Sequence, residues 1–153
     1  MDKAIIIGAD HAGFNLKENV KSFLERRQWT VSDVGTDSEE AVDYPDFGAK
    51  VAQSVSSGTF SRGILVCGSG VGMAIVANKF PGIRAAVCLD LETARMSRLH
   101  NDTNILILAG RRTDPETARQ IIDVWLETPF EGGRHQKRLD KINALEAVRG
   151  EAL

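Results

Sequence analysis

Cys67 ends a short apolar run, Gly63 to Cys67, and three glycines spaced two apart follow at once: Gly68, Gly70 and Gly72. A loop of this kind, opening a second apolar stretch, puts backbone N–H groups at a helix N-terminus. There the dipole and the unpaired donors favour an anion. The anion can be a phosphate, or an oxyanion that develops during a reaction. A thiol in the same place meets the same donors, which favour a thiolate able to act as base or nucleophile. The bland alternative is a small buried hydrophobe, the usual fate of a free cysteine. Cys88, inside another apolar run, reads that way. The G-x-G-x-G spacing follows the third strand-like run, so it is a poor dinucleotide fingerprint. No Gly-Lys-Ser/Thr closes it as a P-loop would require.

Other polar residues fall at comparable places. In GADHAGF, Asp10 and His11 stand side by side after the first apolar run, where Asp10 also fits as a helix cap. The long acidic stretch GTDSEEAVDYPDF carries Asp43 and Tyr44, which either begin a helix or face a site. SRLHNDTN offers His100, Asn101 and Asp102 near a helix C-terminus, and AGRRTD offers Arg111 and Arg112 after the last strand-like run. In EGGRHQKRLDK, Arg134 and Arg138 are four apart. That spacing puts both guanidinium groups on one helix face, able to clamp a phosphate. A solvated basic face is the commoner fate of such a pair.

The elements that must position these residues alternate between two hydrophobic periods. Strand-like runs fall at residues 4–8, 30–34, 63–67, 84–89 and 104–109. Several are apolar nearly throughout, as expected of parallel strands buried on both faces. Helical spacing joins Leu16, Val20, Phe23 and Leu24; Phe47, Val51 and Val55; and Ala118, Ile121, Ile122 and Trp125 behind an Asp114-Pro115 start. Leu139, Ile142, Leu145 and Val148 mark a final helix with no strand after it. The alternation predicts a doubly wound α/β sheet whose ligand edge gathers the loops at 10–13, 35–46, 67–72, 90 onward and 110–114. With 153 residues, a single domain is expected. A net charge of −2 with mixed signs argues against a general nucleic-acid binder. No apolar run approaches the ~20 residues of a membrane span. The N-terminus does not read as a signal peptide, and two cysteines in apolar runs suggest reduced thiols in the cytoplasm.

GADHAGF, DYPDF, CGSGVGMAIVANKFPGIRAA, RLHNDTNIL and EGGRHQKRLDKI, taken together and in order, resemble the type B ribose-5-phosphate isomerases. That family also holds galactose-6-phosphate and allose-6-phosphate isomerases. The resemblance covers nearly the whole chain. It implies a three-layer α/β/α Rossmann-like sandwich with a five-stranded parallel sheet and an extra C-terminal helix. It implies no metal and no organic cofactor. It further implies a homodimer or dimer of dimers with active sites at the subunit boundary, the helix at 134–149 packing on the partner. By position, Cys67 matches the base and His100 the residue that assists ring opening. Asp10 and Tyr44 match contacts near the ring oxygen and hydroxyls. Ser69 stands where many members have threonine and matches a hydrogen bond to the O1/O2 end of the sugar. The amides of Gly68, Gly70, Val71 and Gly72 match the anion hole, and Asn101 is grouped with the substrate contacts. His11 and Arg112 match phosphate ligands, joined by Arg134 and Arg138 from the partner chain. Some relatives use a glutamate in the following helix; here GMAIVANK has no carboxylate, so the cysteine version applies.

The expected reaction is therefore interconversion of ribose 5-phosphate and ribulose 5-phosphate. The rivals are a sister isomerase acting on a tetrulose 4-phosphate or hexose 6-phosphate, a non-enzymatic phosphosugar-binding protein, and a nucleotide-binding oxidoreductase. Intact Cys67, His100 and Asp10 speak against the second, and the glycine spacing against the third.

Overall fold

A computed structural model describes residues 2–152. In chain order the elements are β1 (Ala4–Ala9), α1 (Phe14–Arg26), β2 (Thr30–Asp33), α2 (Tyr44–Ser56), β3 (Gly63–Cys67), α3 (Val71–Ala77), β4 (Ala85–Val87), α4 (Leu91–Asn101), β5 (Ile105–Ala109), α5 (Pro115–Glu127) and α6 (Arg134–Ala152). The five strands form one parallel sheet in the order β2-β1-β3-β5-β4. The expected α/β sandwich is thus present. β2 and β5 are each one residue shorter than expected, and the most shortened strand is β4, an edge strand whose pairing with β5 ends at Val87, leaving Leu89 exposed.

The continuous apolar runs arise because both faces of the sheet are covered. Ile5, Ile7, Ile64, Val66, Leu106 and Leu108 point to one face and pack with residues of α1, α4 and α5. Their neighbours Ile6, Leu65, Ile105 and Ile107 point to the other and pack with α2 and α3. This is the two-residue alternation of a strand with both sides apolar. Asp114 caps α5 as expected, its carboxylate accepting from Thr117 N–H at 2.9 Å. Trp125 fills the first layer and donates its indole N–H to Thr103 Oγ1 at 2.9 Å.

Two consequences bear on function. First, the chain leaves β1 toward β2 but leaves β3 on the opposite side of the sheet. The strand order therefore reverses between β1 and β3, which opens a crevice outside their carboxyl ends. Second, the apolar stripe of α6 is divided. Leu139 is buried against its own chain, whereas Ile142, Leu145 and Val148 are exposed. No helix among the described residues is long and apolar enough to cross a membrane.

A buried cation fixes the approach to the crevice. Lys17 of α1 is 2% exposed. Its Nζ donates to Asp33 Oδ2 and to the Thr36 carbonyl, each at 2.8 Å. Burial raises the Asp33 pKa, but the hydrogen bonds from Lys17 and Gly35 N–H and the charges of Lys17 and Lys21 outweigh it. The carboxyl is held below its usual 3.8. The loop so anchored leads to Tyr44. Lys17→Met should therefore destabilise the fold by about 2–3 kcal/mol in urea unfolding, since the Thr36 carbonyl loses its side-chain donor and Asp33 keeps only Gly35 N–H and the longer Lys21 contact. A change under ~0.5 kcal/mol, the level of an ordinary surface substitution, would contradict this role.

Candidate active site

The site follows from strand register. Ala9 of β1 lies opposite Val66 of β3, and Asp10 N–H donates to the Val66 carbonyl at 3.3 Å. Asp10 and Cys67 therefore leave the sheet level with one another. On the other side Cys67 is level with Ala109 of β5, and Gly110 N–H donates to the Cys67 carbonyl at 2.7 Å. The loops after β1, β3 and β5 thus surround one cleft of about 320 Å³. Asp10, His11, Tyr44, Cys67, Gly68, Ser69, Gly72, Arg111 and Arg112 are on its walls.

Cys67 is buried at the floor, and its Sγ accepts the Gly70 N–H at 3.2 Å. That amide opens α3. Gly70 has φ +80°, a left-handed conformation that suits glycine, and a Cβ there would lie 3.0 Å from Val87 Cγ1. At Gly72 a Cβ would lie 2.7 Å from the Tyr44 ring. Ser69 Oγ accepts the Val71 N–H at 3.2 Å, leaving its proton to donate outward. Cys88 is different. Burial pushes its thiol up to about 11, so it stays protonated and belongs to the core, as its sequence context suggested.

The polar wall is pre-oriented. Asp10 Oδ1 accepts from Ala12 N–H and Gly13 N–H, each at 3.0 Å. One oxygen thus shapes the turn that precedes α1, whose N-cap is Gly13 with no side-chain cap, so Asp10 is not the helix cap its position allowed, and its other oxygen is left for a ligand. His11 Nδ1 accepts the Val42 N–H at 3.1 Å, which places the ring proton on Nε2 as a donor. Arg111 is the residue that pattern reading underweighted. Its side chain lies over Gly68, where an added Cβ would be 3.1 Å from Nη1, and its N–H donates to the Gly68 carbonyl at 3.1 Å. Its place beside Arg112 at the end of β5 was the signal.

Gly70 and Val71 belong to the glycine loop but are not on the cleft walls, and four other expected site residues lie elsewhere in the fold. His100 and Asn101 end α4, whose 11 residues rise about 16 Å from the carboxyl to the amino edge of the sheet. Asn101 lies beside a second hollow, of about 270 Å³, with Leu139 and Ile142. Arg134 and Arg138 are exposed on α6, which approaches the same edge. There the His100 ring stacks on His135, centroids 4.2 Å apart and planes 14° apart. Glu131 Oε2 stands 4.0 Å from His100 Nε2 and 3.8 Å from His135 Nε2. Burial holds the His135 imidazole below the usual 6.5, aided by the charges of His100 and Arg134 and opposed by Glu131. These three residues bring ligand atoms within 4.8 Å of one another, the spacing of a metal site. Two nearly parallel rings have no nearby point in both planes, however, so their lone pairs do not converge on an ion.

Residues 5–142 match the ribose/galactose isomerase family. The chain is similar to ribose-5-phosphate isomerase B of Escherichia coli (strain K12), 48% identical over 147 residues that cover 96% of this chain and 99% of that one. Among solved structures it is similar to ribose-5-phosphate isomerase B of Clostridium thermocellum, with TM-score 0.94, 52% identity and coverage of 95% and 99%. It is also similar to the ribose 5-phosphate isomerase of Thermotoga maritima, with TM-score 0.91, 51% identity and coverage of 94% and 99%.

The Gly70 geometry generates a test. Gly70→Ala should lower stability by about 1–2 kcal/mol, the cost of left-handed backbone for an L-residue. By shifting the amide from Sγ it should also slow alkylation of Cys67 at fixed pH. Unchanged urea midpoint and unchanged alkylation rate would show that the loop does not need glycine there.

Proposed function

The chain belongs to the ribose/galactose isomerase family, and from that footing we propose that it interconverts ribose 5-phosphate and ribulose 5-phosphate through an enediolate. The observation that carries this reading is the Cys67 sulfur on the Gly70 amide, level with Asp10 in the crevice between β1 and β3. An aldose–ketose isomerase needs a base beside donors for a developing oxyanion, and one turn of chain supplies both here.

In this reading His100 first relays the O1 hydroxyl proton to the ring oxygen as the C1–O4 bond breaks, giving the open aldehyde. The Cys67 thiolate takes the proton from C2, and the electron pair passes to O1. The negative O1 faces the loop amides of Gly68, Gly70, Val71 and Gly72, of which Gly70 and Val71 share their N–H with Sγ and Ser69 Oγ, and Ser69 donates to the O1/O2 end. The thiol then returns its proton to C1 while the O2 proton passes to O1, which leaves the ketose. Asp10 and Tyr44 hold the sugar hydroxyls, with Asn101 beside His100. The His11 Nε2–H and Arg112 bind the phosphate, with Arg134 and Arg138 completing the clamp. The phosphate contacts act alike on substrate and transition state, so they govern affinity and orientation.

The reading requires two copies. His100 leaves the sheet at the edge opposite Cys67, so the imidazole and thiol of one site come from different chains. The exposed Ile142, Leu145 and Val148 of α6 support a homodimer, or a dimer of dimers, in which this helix lies against its neighbour. The cytoplasm is the compartment that suits reduced thiols and a phosphorylated substrate.

The family's description spans ribose and galactose, which favours one second reading: a sister isomerase with the same chemistry on a tetrulose 4-phosphate or a hexose 6-phosphate. A panel of kcat/KM values for ribose 5-phosphate, allose 6-phosphate, galactose 6-phosphate and erythrulose 4-phosphate separates them. The first should exceed the others by at least ~10-fold, the scale on which one carbon is discriminated. A tetrulose or hexose phosphate in first place would install the sister reading. Cys67→Ala should lower kcat by roughly two to four orders of magnitude with KM within a few fold. Near-normal kcat would remove Cys67 as the base.

A further inference from the structure

We propose that His135 is a positioning residue that fixes the orientation of the His100 imidazole. The inference rests on the ring-opening role proposed for His100. The two residues contrast sharply. His135 is 4% exposed, whereas the His100 side chain is 39% exposed at the end of α4. Left alone, an imidazole at a helix end samples several rotamers. Here its face lies on the His135 ring with the planes 14° apart. Neither ring can turn far without losing the stack.

His135 is itself held. Its N–H donates to the Gly132 carbonyl at 3.1 Å, and Glu131 N–H donates to the Leu99 carbonyl at 3.0 Å. The start of α6 is thereby tied to the last turn of α4. The His135 Nε2 is buried and has no hydrogen-bond partner. What this residue gives His100 is thus its flat face and not a hydrogen bond. The face is also uncharged, because burial disfavours the imidazolium, and so does not oppose a proton arriving on His100. Ring opening is where such restraint acts. The imidazole must meet one ring oxygen within hydrogen-bond reach, and small misplacements of a reacting group are costly.

The test compares His135→Leu, which fills the space without a flat ring, with His135→Phe, which keeps the ring and removes the orphaned nitrogen. Two rates are read on the full-length protein. One is kcat for ribose 5-phosphate, which enters as a furanose. The other is deuterium wash-in at C1 of ribulose 5-phosphate. That ketose has its C5 hydroxyl phosphorylated and stays open, so wash-in needs the base and the enediolate but no ring step. His135→Leu should lose about tenfold in furanose kcat with wash-in within about twofold, and His135→Phe should stay within about twofold in both. Normal furanose kcat in His135→Leu, equal losses in both rates, or a His135→Phe as impaired as His135→Leu would each overturn the proposal. His100→Asn is measured alongside. If it spares wash-in while losing furanose kcat, the ring-opening reading stands and the His135 variants decide. If it loses both rates equally, that reading falls and the proposal falls with it.

Discussion

The hydrogen-bonded register of β1 on β3 is the constraint on which the rest depends. Pairing Ala9 with Val66 brings Asp10 and Cys67 off the sheet at one level, and the reversal of strand order there keeps the crevice open. A slip of one residue would turn the core side chains to the wrong layer, because successive residues face α1 and α5 or α2 and α3. The same burial that stabilises the sheet therefore also positions the thiol. The loop chemistry adds to this placement: an amide on sulfur, a carboxylate spent half on its own turn, and an imidazole whose tautomer is set by Val42.

The second constraint is polarity along the strands. In a parallel sheet every helix returns the chain from the carboxyl edge to the amino edge. A residue at the end of α4 then lies toward the amino edge, opposite the edge that carries the Cys67 loop. His100, Arg134 and Arg138 gather at that far edge, with the exposed half of the α6 stripe close in sequence. Under the proposed function each end of the chain carries half a site, and an assembly that sets the ends of different chains together would join them. The hollow beside Asn101 joins Leu139 and Ile142 of α6 to Ile83 and Arg84.

Much of this was legible in the sequence because it is written locally. Apolar runs that stop at Asp10, Cys67 and Gly110 mark strand ends, Asp114-Pro115 marks a helix start, and the spacing of Gly68, Gly70 and Gly72 marks the anion loop. The family resemblance extended that reading to residue roles that spacing alone left open. Other features depend on what the fold brings together across the chain. Lys17 looks like one more surface lysine until β2 supplies Asp33 beneath it. Arg111 and Arg112 are adjacent and alike in sequence, yet Arg111 is the one that lies over Gly68. His135 sits between two arginines on a basic helix face, and only the approach of α4 makes it a buried partner of His100. The α6 stripe was visible as a period, but not its division into a buried Leu139 and exposed residues beyond it.

The central claim is that each site joins the thiol of one chain to the arginines and imidazole of another. Subunit exchange between two inactive variants tests it most directly. Cys67→Ala lacks the base, and Arg134→Ala/Arg138→Ala lacks the clamp. A heterodimer of the two has one site with both defects and one with neither. If the site is shared, verified heterodimers should regain up to half the activity of the unmodified dimer at low substrate. Heterodimers that regain nothing would mean that the arginines serve their own chain's cleft, and the shared-site account would be wrong.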